Sequence, residues 1–306
     1  MVERLDKIWF DGKLIPWEEA RVHVLSHTLH YGLGVFEGIR CYKREDGRSA
    51  VFRLREHVDR LLKSALIADL PVKWTLDEVC EACLQTIRAN ELDECYIRPL
   101  IFLGEGAMGL FGRENTVHLT IIVWRWGAYL GDEGLKQGIR AKVSSFTRPG
   151  VNSIMSKAKI VGNYVNSILA KREVVDAGYQ EAIMLDSQGY VAEASGENIF
   201  LVKEGRVVTP PLGSSILPGI TRDTIVRLCD EMGITVVERL VARDEMYIAD
   251  EVFFTGTAAE VTPVREIDDR RIGNGTRGPV TARIQDRFFQ IVGGGNQAHP
   301  EWLAFV

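Results

Sequence analysis

What the chain has little of narrows the reading first. No apolar run approaches the ~20 residues needed to cross a bilayer; stretches such as residues 119–124 fall far short. Residues 1–10 lack the basic-then-apolar pattern of a secretory leader. Five cysteines, an odd number without regular spacing, argue against a disulfide framework and point to the cytoplasm. No basic block is present, and a net charge of −5 argues against a nucleic-acid partner. Neither a G-x-S-x-G elbow nor a Walker loop occurs. What remains is a composition typical of folded proteins, with 46% hydrophobic and 26% charged residues. The 306 positions leave room for two modest domains or one large one.

Periodicity organises the chain as a mixed α+β protein of two domains. Residues 7–10 and 13–17, around Asp11-Gly12, read as a hairpin. Residues 35–42 read as one alternating strand, with Phe36, Gly38 and Arg40 on one face and Val35, Glu37 and Ile39 on the other. A helix is expected over 56–70, its stripe made of Val58, Leu61, Leu62, Ala65 and Leu66, with Pro71 as its stop. A second, over 76–90, carries Leu76, Val79, Cys80, Cys83, Leu84 and Ile87. Residues 95–103 and 117–126 read as central strands. The glycine-punctuated stretch 127–138 separates a small N-terminal α/β domain, 1–126, from a larger C-terminal one, 139–306. The latter is strand-rich, with helices at 163–177 and 222–232, and 293–295 reads as a loop.

Several motif-like spacings carry no chemistry. Gly104-x-Gly106-x-x-Gly109 has the spacing of a dinucleotide loop and follows a strand. Such a loop must open a helix, whereas 111–115 leads into another strand, and no suitable acid follows. Cys80-x-x-Cys83 lies on an apolar stripe, where cysteine acts as a small hydrophobe. His23, His27 and His30 have no accompanying carboxylate cluster, so no metal is expected.

Four segments could carry chemistry. Leu217-Pro218-Gly219-Ile220-Thr221 precedes a helix. The N–H groups of Ile220 and Thr221 there suit an anion, unless Thr221 is an ordinary cap. Thr255-Gly256-Thr257-Ala258-Ala259 is either a backbone approach site or a plain turn. Lys157 and Lys159 both sit where a Schiff-base lysine could, and chemistry alone does not choose between them. Glu193, between apolar strands, is either partnered or exposed at a bend, and exposure is the ordinary expectation.

Taken in order, six motifs closely resemble the branched-chain amino acid aminotransferases, fold-type IV enzymes that use pyridoxal 5′-phosphate (PLP). They are Tyr31-Gly-Leu-Gly-Val-Phe-Glu-Gly-Ile-Arg40, Tyr96-Ile-Arg98-Pro-Leu, Lys159-x-x-Gly-Asn-Tyr164, Glu193-Ala-Ser-Gly-Glu-Asn198, Leu217-Pro-Gly-Ile-Thr-Arg-Asp and Gly256-Thr-Ala-Ala-Glu. The resemblance runs from Ile8 to Phe289. It implies transfer of the amino group of leucine, isoleucine or valine to 2-oxoglutarate. Lys159 would then hold PLP and act as the general base, while Lys157 matches no family lysine and is incidental. Glu193 would pair with the pyridine nitrogen and Tyr164 would lie beside the phenolic oxygen.

The phosphate would go to Arg60, Ile220, Thr221 and Thr257, with Leu217, Gly219 and Gly256 shaping the cradle. For Arg60 the helical wheel disagrees: it lies opposite the apolar stripe, a solvated position, and the motif His57-x-x-Arg60-Leu61 is preferred. Phe36, Gly38, Tyr96, Arg98, Trp126, Tyr129, Thr257 and Ala258 would form an apolar pocket with a carboxylate anchor. Tyr96 and Arg98 share a strand face, about 7 Å apart. The resemblance places Tyr31, Met108 and Leu110 at a domain or subunit boundary and implies at least a homodimer, with loop 104–110 reaching a neighbour. Other fold-type IV activities, on (R)-amines, D-amino acids or 4-amino-4-deoxychorismate, are the alternatives, followed by a PLP-binding protein without catalysis.

Overall fold

Residues 95–103 build the first sheet around themselves although Pro99 sits at their centre. The computed structural model describes residues 3–127 and 130–306. They fall into two units. The first holds the chain up to Trp126 together with Ala158–Asn163 and Ile291–Val306, and the second holds Gly127–Lys157 and Tyr164–Gln290. The division therefore does not follow chain order as a split at 127–138 would: Lys159 belongs to the first unit.

In the first unit β1 (Lys7–Phe10), β2 (Lys13–Pro16), β3 (Gly34–Phe36), β4 (Ile39–Lys43), β5 (Ser49–Phe52), β6 (Cys95–Leu103) and β7 (Val117–Trp124) form an antiparallel sheet. β6 lies between β4 and β7, and β1 and β2 follow β7 outward. Glu37 donates its N–H to the Pro99 carbonyl at 2.9 Å, and proline has no N–H to return. The strand expected over 35–42 therefore breaks at Glu37-Gly38. Phe36 still faces Leu100 and Ile39 faces Ile97, one register on both sides of the break. The expected alternation of faces survives it.

Helices α1 (His27–Tyr31), α2 (Leu54–Ile67) and α3 (Leu76–Ala89) belong to this unit. Thr75 and Glu78 cap α3 reciprocally. Val58, Leu61, Ala65, Val79, Cys83 and Ile87 join Ile97, Ile101, Leu119 and Ile121 in one core, so the cysteine pair is core as expected. The stripe on α2 is rotated from its expected position. Leu66 is 79% exposed, while His57 and Ser64 are buried.

The second unit contains β8 (Ile139–Val143), β9 (Glu181–Leu185), β10 (Val191–Ala194), β11 (Asn198–Lys203), β12 (Arg206–Thr209), β13 (Val236–Glu238), β14 (Glu251–Gly256), β15 (Glu260–Ile267) and β16 (Arg270–Arg271). The order is β10-β9-β8-β15-β14-β11-β12-β13, with β16 beside β15. α4 (Asp132–Gln137) occupies the stretch read as a junction, and α5 (Tyr164–Asp176), α6 (Ile220–Glu231), α7 (Arg243–Tyr247) and α8 (Pro279–Gly293) follow. β14, β15 and α8 have no counterpart in the periodicity reading. β14 and β15 are buried along most of their length, which erases the alternation that marks a half-buried strand.

The C-terminal stretch after Gly293, without a recognisable motif, ends in β17 (Leu303–Phe305). It pairs with β5 at the edge of the first sheet. Among the described residues, no helix is long and apolar enough to cross a membrane.

Candidate active site

Lys159 is held by its backbone from two sides. Its N–H donates to Ser64 Oγ on α2 at 3.0 Å, and its carbonyl accepts from the Phe36 N–H on β3 at 3.1 Å. Its Nζ lies 5.0 Å from the centre of the Phe36 ring. Its main chain is thus fixed, and its amine lies beside an aromatic face. Lys157 is half-buried and not simply solvated. Its Nζ donates to the carbonyls of Ser214 at 2.8 Å and Ile216 at 3.0 Å, and burial lowers its pKa. The two lysines, ambiguous in sequence, thus have distinct surroundings: Lys157 ties down the stretch that leads into α6.

Arg60 is turned away from bulk water, against the helical-wheel expectation. Its side chain is 13% exposed. Its Nε and Nη2 donate to the two oxygens of Glu37 at 2.6 and 2.9 Å. Sequence reasoning missed Glu37 as a functional residue, although a carboxylate on a face shared with Val35 and Ile39 was the available signal.

Phe36, Gly38, Tyr96, Arg98 and Trp126, expected around the substrate, lie together in the first unit. Arg98 Nη2 donates to Tyr96 Oη at 3.3 Å, so the two do share a face. The Tyr96 ring packs on Trp124 and Trp126 at 4.9 and 4.6 Å between centroids. A Cβ on Gly38 would collide with the Tyr96 phenol, which is why glycine stands there. The guanidinium carbon of Arg98 lies 4.7 Å from the Phe36 ring centre and 5.3 Å from that of Tyr96. Among the described residues, Arg98 makes no ion pair with a carboxylate. The nearby acids are engaged elsewhere, Glu94 with Arg40 and Glu105 with His23.

Tyr31 and Met108 are both 44% exposed, and Leu110 is 88% exposed. His27 anchors their loop by donating Nε2 to the Gly109 carbonyl at 2.7 Å. The G-x-G-x-x-G segment is indeed a loop between strands. Tyr129 lies outside the described residues.

In the second unit Glu193 is buried, not exposed at a bend. Arg148 Nη2 lies 3.0 Å from its Oε1, while Asn198 Nδ2 and the Leu217 N–H each donate to Oε2 at 3.1 Å. Arg148 gave no sequence signal, since a lone arginine between strands reads as surface. Asn198 was visible as the last residue of the Glu193 motif. Leu217, so bonded, opens the turn into α6.

Gly219, not Thr221, is the N-cap of α6, and no side chain caps it among the described residues. α6 thus opens with Ile220 and Thr221 at the positive end of its dipole, a position that favours an anion. A Cβ on Gly219 would collide with Asn198 Oδ1. Gly256, Thr257 and Ala258 make the turn from β14 to β15, and Tyr164 opens α5. Glu197 is buried and makes no ion pair among the described residues. Burial together with neighbouring Glu181 pushes its pKa up to about 8. Glu181 keeps Lys171 at 2.6 Å.

These features fit PLP on chemical grounds. The units offer an anchored lysine, an arginine fork, a helix N-terminus without a side-chain cap and a buried carboxylate in an ion pair. A phosphate and a protonatable ring nitrogen call for such donors and such an acid.

Comparison with known proteins points the same way. The amino-transferase class IV family model matches residues 34–267. The branched-chain-amino-acid aminotransferase of Pseudomonas aeruginosa is 51% identical over 306 residues, covering 100% of this chain and 99% of that one. The crystal structure of the Escherichia coli branched-chain amino acid aminotransferase superposes with a TM-score of 0.95 at 50% identity, covering 98% of each chain. That of the branched-chain amino acid aminotransferase from Thermobaculum terrenum, in its PLP-bound holo form, gives a TM-score of 0.93 at 36% identity. It covers 99% of each chain.

Proposed function

The chain belongs to the amino-transferase class IV family, and on that footing we propose how its own residues carry the reaction. It is a branched-chain amino acid aminotransferase with the fold-type IV architecture. The amino group of L-leucine, L-isoleucine or L-valine passes to 2-oxoglutarate, leaving branched 2-oxo acids and L-glutamate. PLP, when bound, supplies an electron sink for the charge that develops at the substrate Cα.

In the first unit we assign Lys159 Nζ to hold the cofactor and then to carry the substrate Cα proton. Ser64 and the Phe36 N–H keep its backbone still. Arg60 receives phosphate. In the second unit we assign Glu193 to the ring nitrogen, where its charge keeps the proton in place, and Tyr164 to the phenolic oxygen. Arg148, Asn198 and the Leu217 N–H orient that carboxylate. The N–H groups of Ile220 and Thr221, with Thr257, receive phosphate on the backbone shaped by Leu217, Gly219 and Gly256.

To the substrate side chain we assign Phe36, Gly38, Tyr96 and Trp126 in the first unit and Thr257 and Ala258 in the second, and to the side-chain carboxylate of glutamate Arg98 with Tyr31. The observation that carries this reading is Arg98 itself, a guanidinium set among aromatic rings with no carboxylate of its own among the described residues. Such a wall accepts an aliphatic side chain and a carboxylate in turn.

The exposed apolar surface at Leu29, Tyr31, Met108, Leu110 and Phe111 supports at least a homodimer, with this surface completing a neighbour's site. The five buried, free cysteines support a cytoplasmic location.

The test is glutamate formation from L-leucine and 2-oxoglutarate, with D-alanine and an (R)-arylamine in parallel. Faster reaction with either of the last two would refute the substrate assignment.

A further inference from the structure

Glu37 has no accessible surface and lies in the break between β3 and β4. A carboxylate so placed is costly unless its oxygens are fully engaged. They are. Oε1 accepts from Arg60 Nε at 2.6 Å, and Oε2 accepts from Arg60 Nη2 at 2.9 Å. Oε2 also takes Nδ1–H of His57 at 2.8 Å and the Gly38 N–H at 3.2 Å. Two parallel bonds to one edge of a guanidinium fix both its position and its plane.

The charge states agree with the geometry. Burial alone would raise the Glu37 pKa, but Arg60 and His57 outweigh it and hold the carboxyl well below the usual range. Burial lowers the pKa of His57, whose Nδ1–H donates to the carboxylate.

We infer that Glu37 is a positioning residue for cofactor binding: it holds the Arg60 guanidinium in the orientation that receives the cofactor phosphate. This rests on the assignment of Arg60 to phosphate made above. A carboxylate that only neutralised Arg60 would have the opposite effect. It would compete with phosphate, and its removal would tighten binding. The sign of the change thus separates orientation from compensation.

The full chain, freed of cofactor, is titrated with PLP and separately with pyridoxal, which lacks the phosphate. The variants are Glu37→Gln, Glu37→Asp, Arg60→Met and the double variant Glu37→Gln/Arg60→Met. Glu37→Gln replaces one of two acceptors by a donor aimed at Arg60. Glu37→Asp keeps the charge and loses the reach, and it carries the same test if the glutamine variant does not fold.

Both are expected to weaken PLP about 10-fold or more, the scale of a lost charged hydrogen bond, and to leave pyridoxal affinity unchanged. The double variant should be no worse than Arg60→Met alone. Unchanged or tighter PLP binding in the Glu37 variants, equal loss of PLP and pyridoxal, or losses that add to that of Arg60→Met would each overturn the inference. If Arg60→Met alone leaves PLP affinity intact, the phosphate assignment itself falls and takes the inference with it.

Discussion

Replacing Arg98 by methionine separates the two halves of the reaction. The guanidinium carbon lies 4.7, 5.3 and 5.5 Å from the ring centres of Phe36, Tyr96 and Trp124, and Nη2 donates to a phenol at 3.3 Å. Its Nε is buried without a partner among the described residues. Methionine keeps an unbranched chain of similar reach among the rings and removes the charge and the donors. Leucine, which needs only the rings, should lose little. Glutamate and 2-oxoglutarate should lose a charged hydrogen bond of about 1.5–3 kcal/mol, or about 10–100-fold in kcat/KM. The loss runs to the upper end if their carboxylate is left unpaired against the aromatic wall. Each half-reaction is followed separately by single-turnover absorbance. Equal losses for leucine and glutamate would show that Arg98 serves the fold or the shared α-carboxylate instead.

Lys159→Ala should abolish turnover and the absorbance of lysine-bound cofactor. Lys157→Met should keep that absorbance but cost about 1–3 kcal/mol of stability through two lost carbonyl contacts; the reverse pattern would exchange the two lysines. Glu193→Gln should retain cofactor yet slow Cα proton removal strongly, because an amide carries no charge to keep the ring nitrogen protonated. Near-normal turnover would remove Glu193 from the mechanism. Glu197 binds its proton up to about pH 8 in the folded chain, against an ordinary value of 4.5. Its contribution to stability is therefore complete below the ordinary value and is lost as pH rises to about 8. Glu197→Gln should flatten the fall in Tm over that window, and a slope equal to the parent's would count against a proton on Glu197. Sedimentation and activity measured at the same dilution test the assembly, and an active monomer would refute it.

Much of the fold was legible because the elements concerned obey a single period. β6 has the bounds expected for it, Cys95–Leu103, and α3 buries Val79, Cys80, Cys83 and Ile87 from its expected stripe. The misreadings share a cause: polar groups buried by partners distant in sequence. His57 and Ser64 turn inward because Glu37 and the Lys159 N–H meet them, which carries Leu66 outward and brings Arg60 to Glu37. A helical wheel sees only hydrophobicity, so it left Arg60 in water. Glu193 read as exposed because Arg148 stands on a different segment. The break at Glu37-Gly38 needed the knowledge that Pro99, a residue without a donor, lies opposite. The order of the motifs singled out Lys159 and Glu193, whereas the groups that hold them are visible only in three dimensions.

The pairing of β17 with β5 has a consequence for synthesis. A ribosome delivers Ser49–Phe52 long before Leu303–Phe305, with the Lys159 segment emerging between them. Until Leu303–Phe305 arrives, the nascent first sheet presents Ser49–Phe52 as an uncovered edge, and the place of Ile160 beside Val35 stays empty until that segment is translated. An open strand edge invites pairing with other chains. Shielding that edge during translation therefore falls to chaperones or to rapid elongation, and slowing the ribosome between these two segments should raise the aggregated fraction without altering the finished protein.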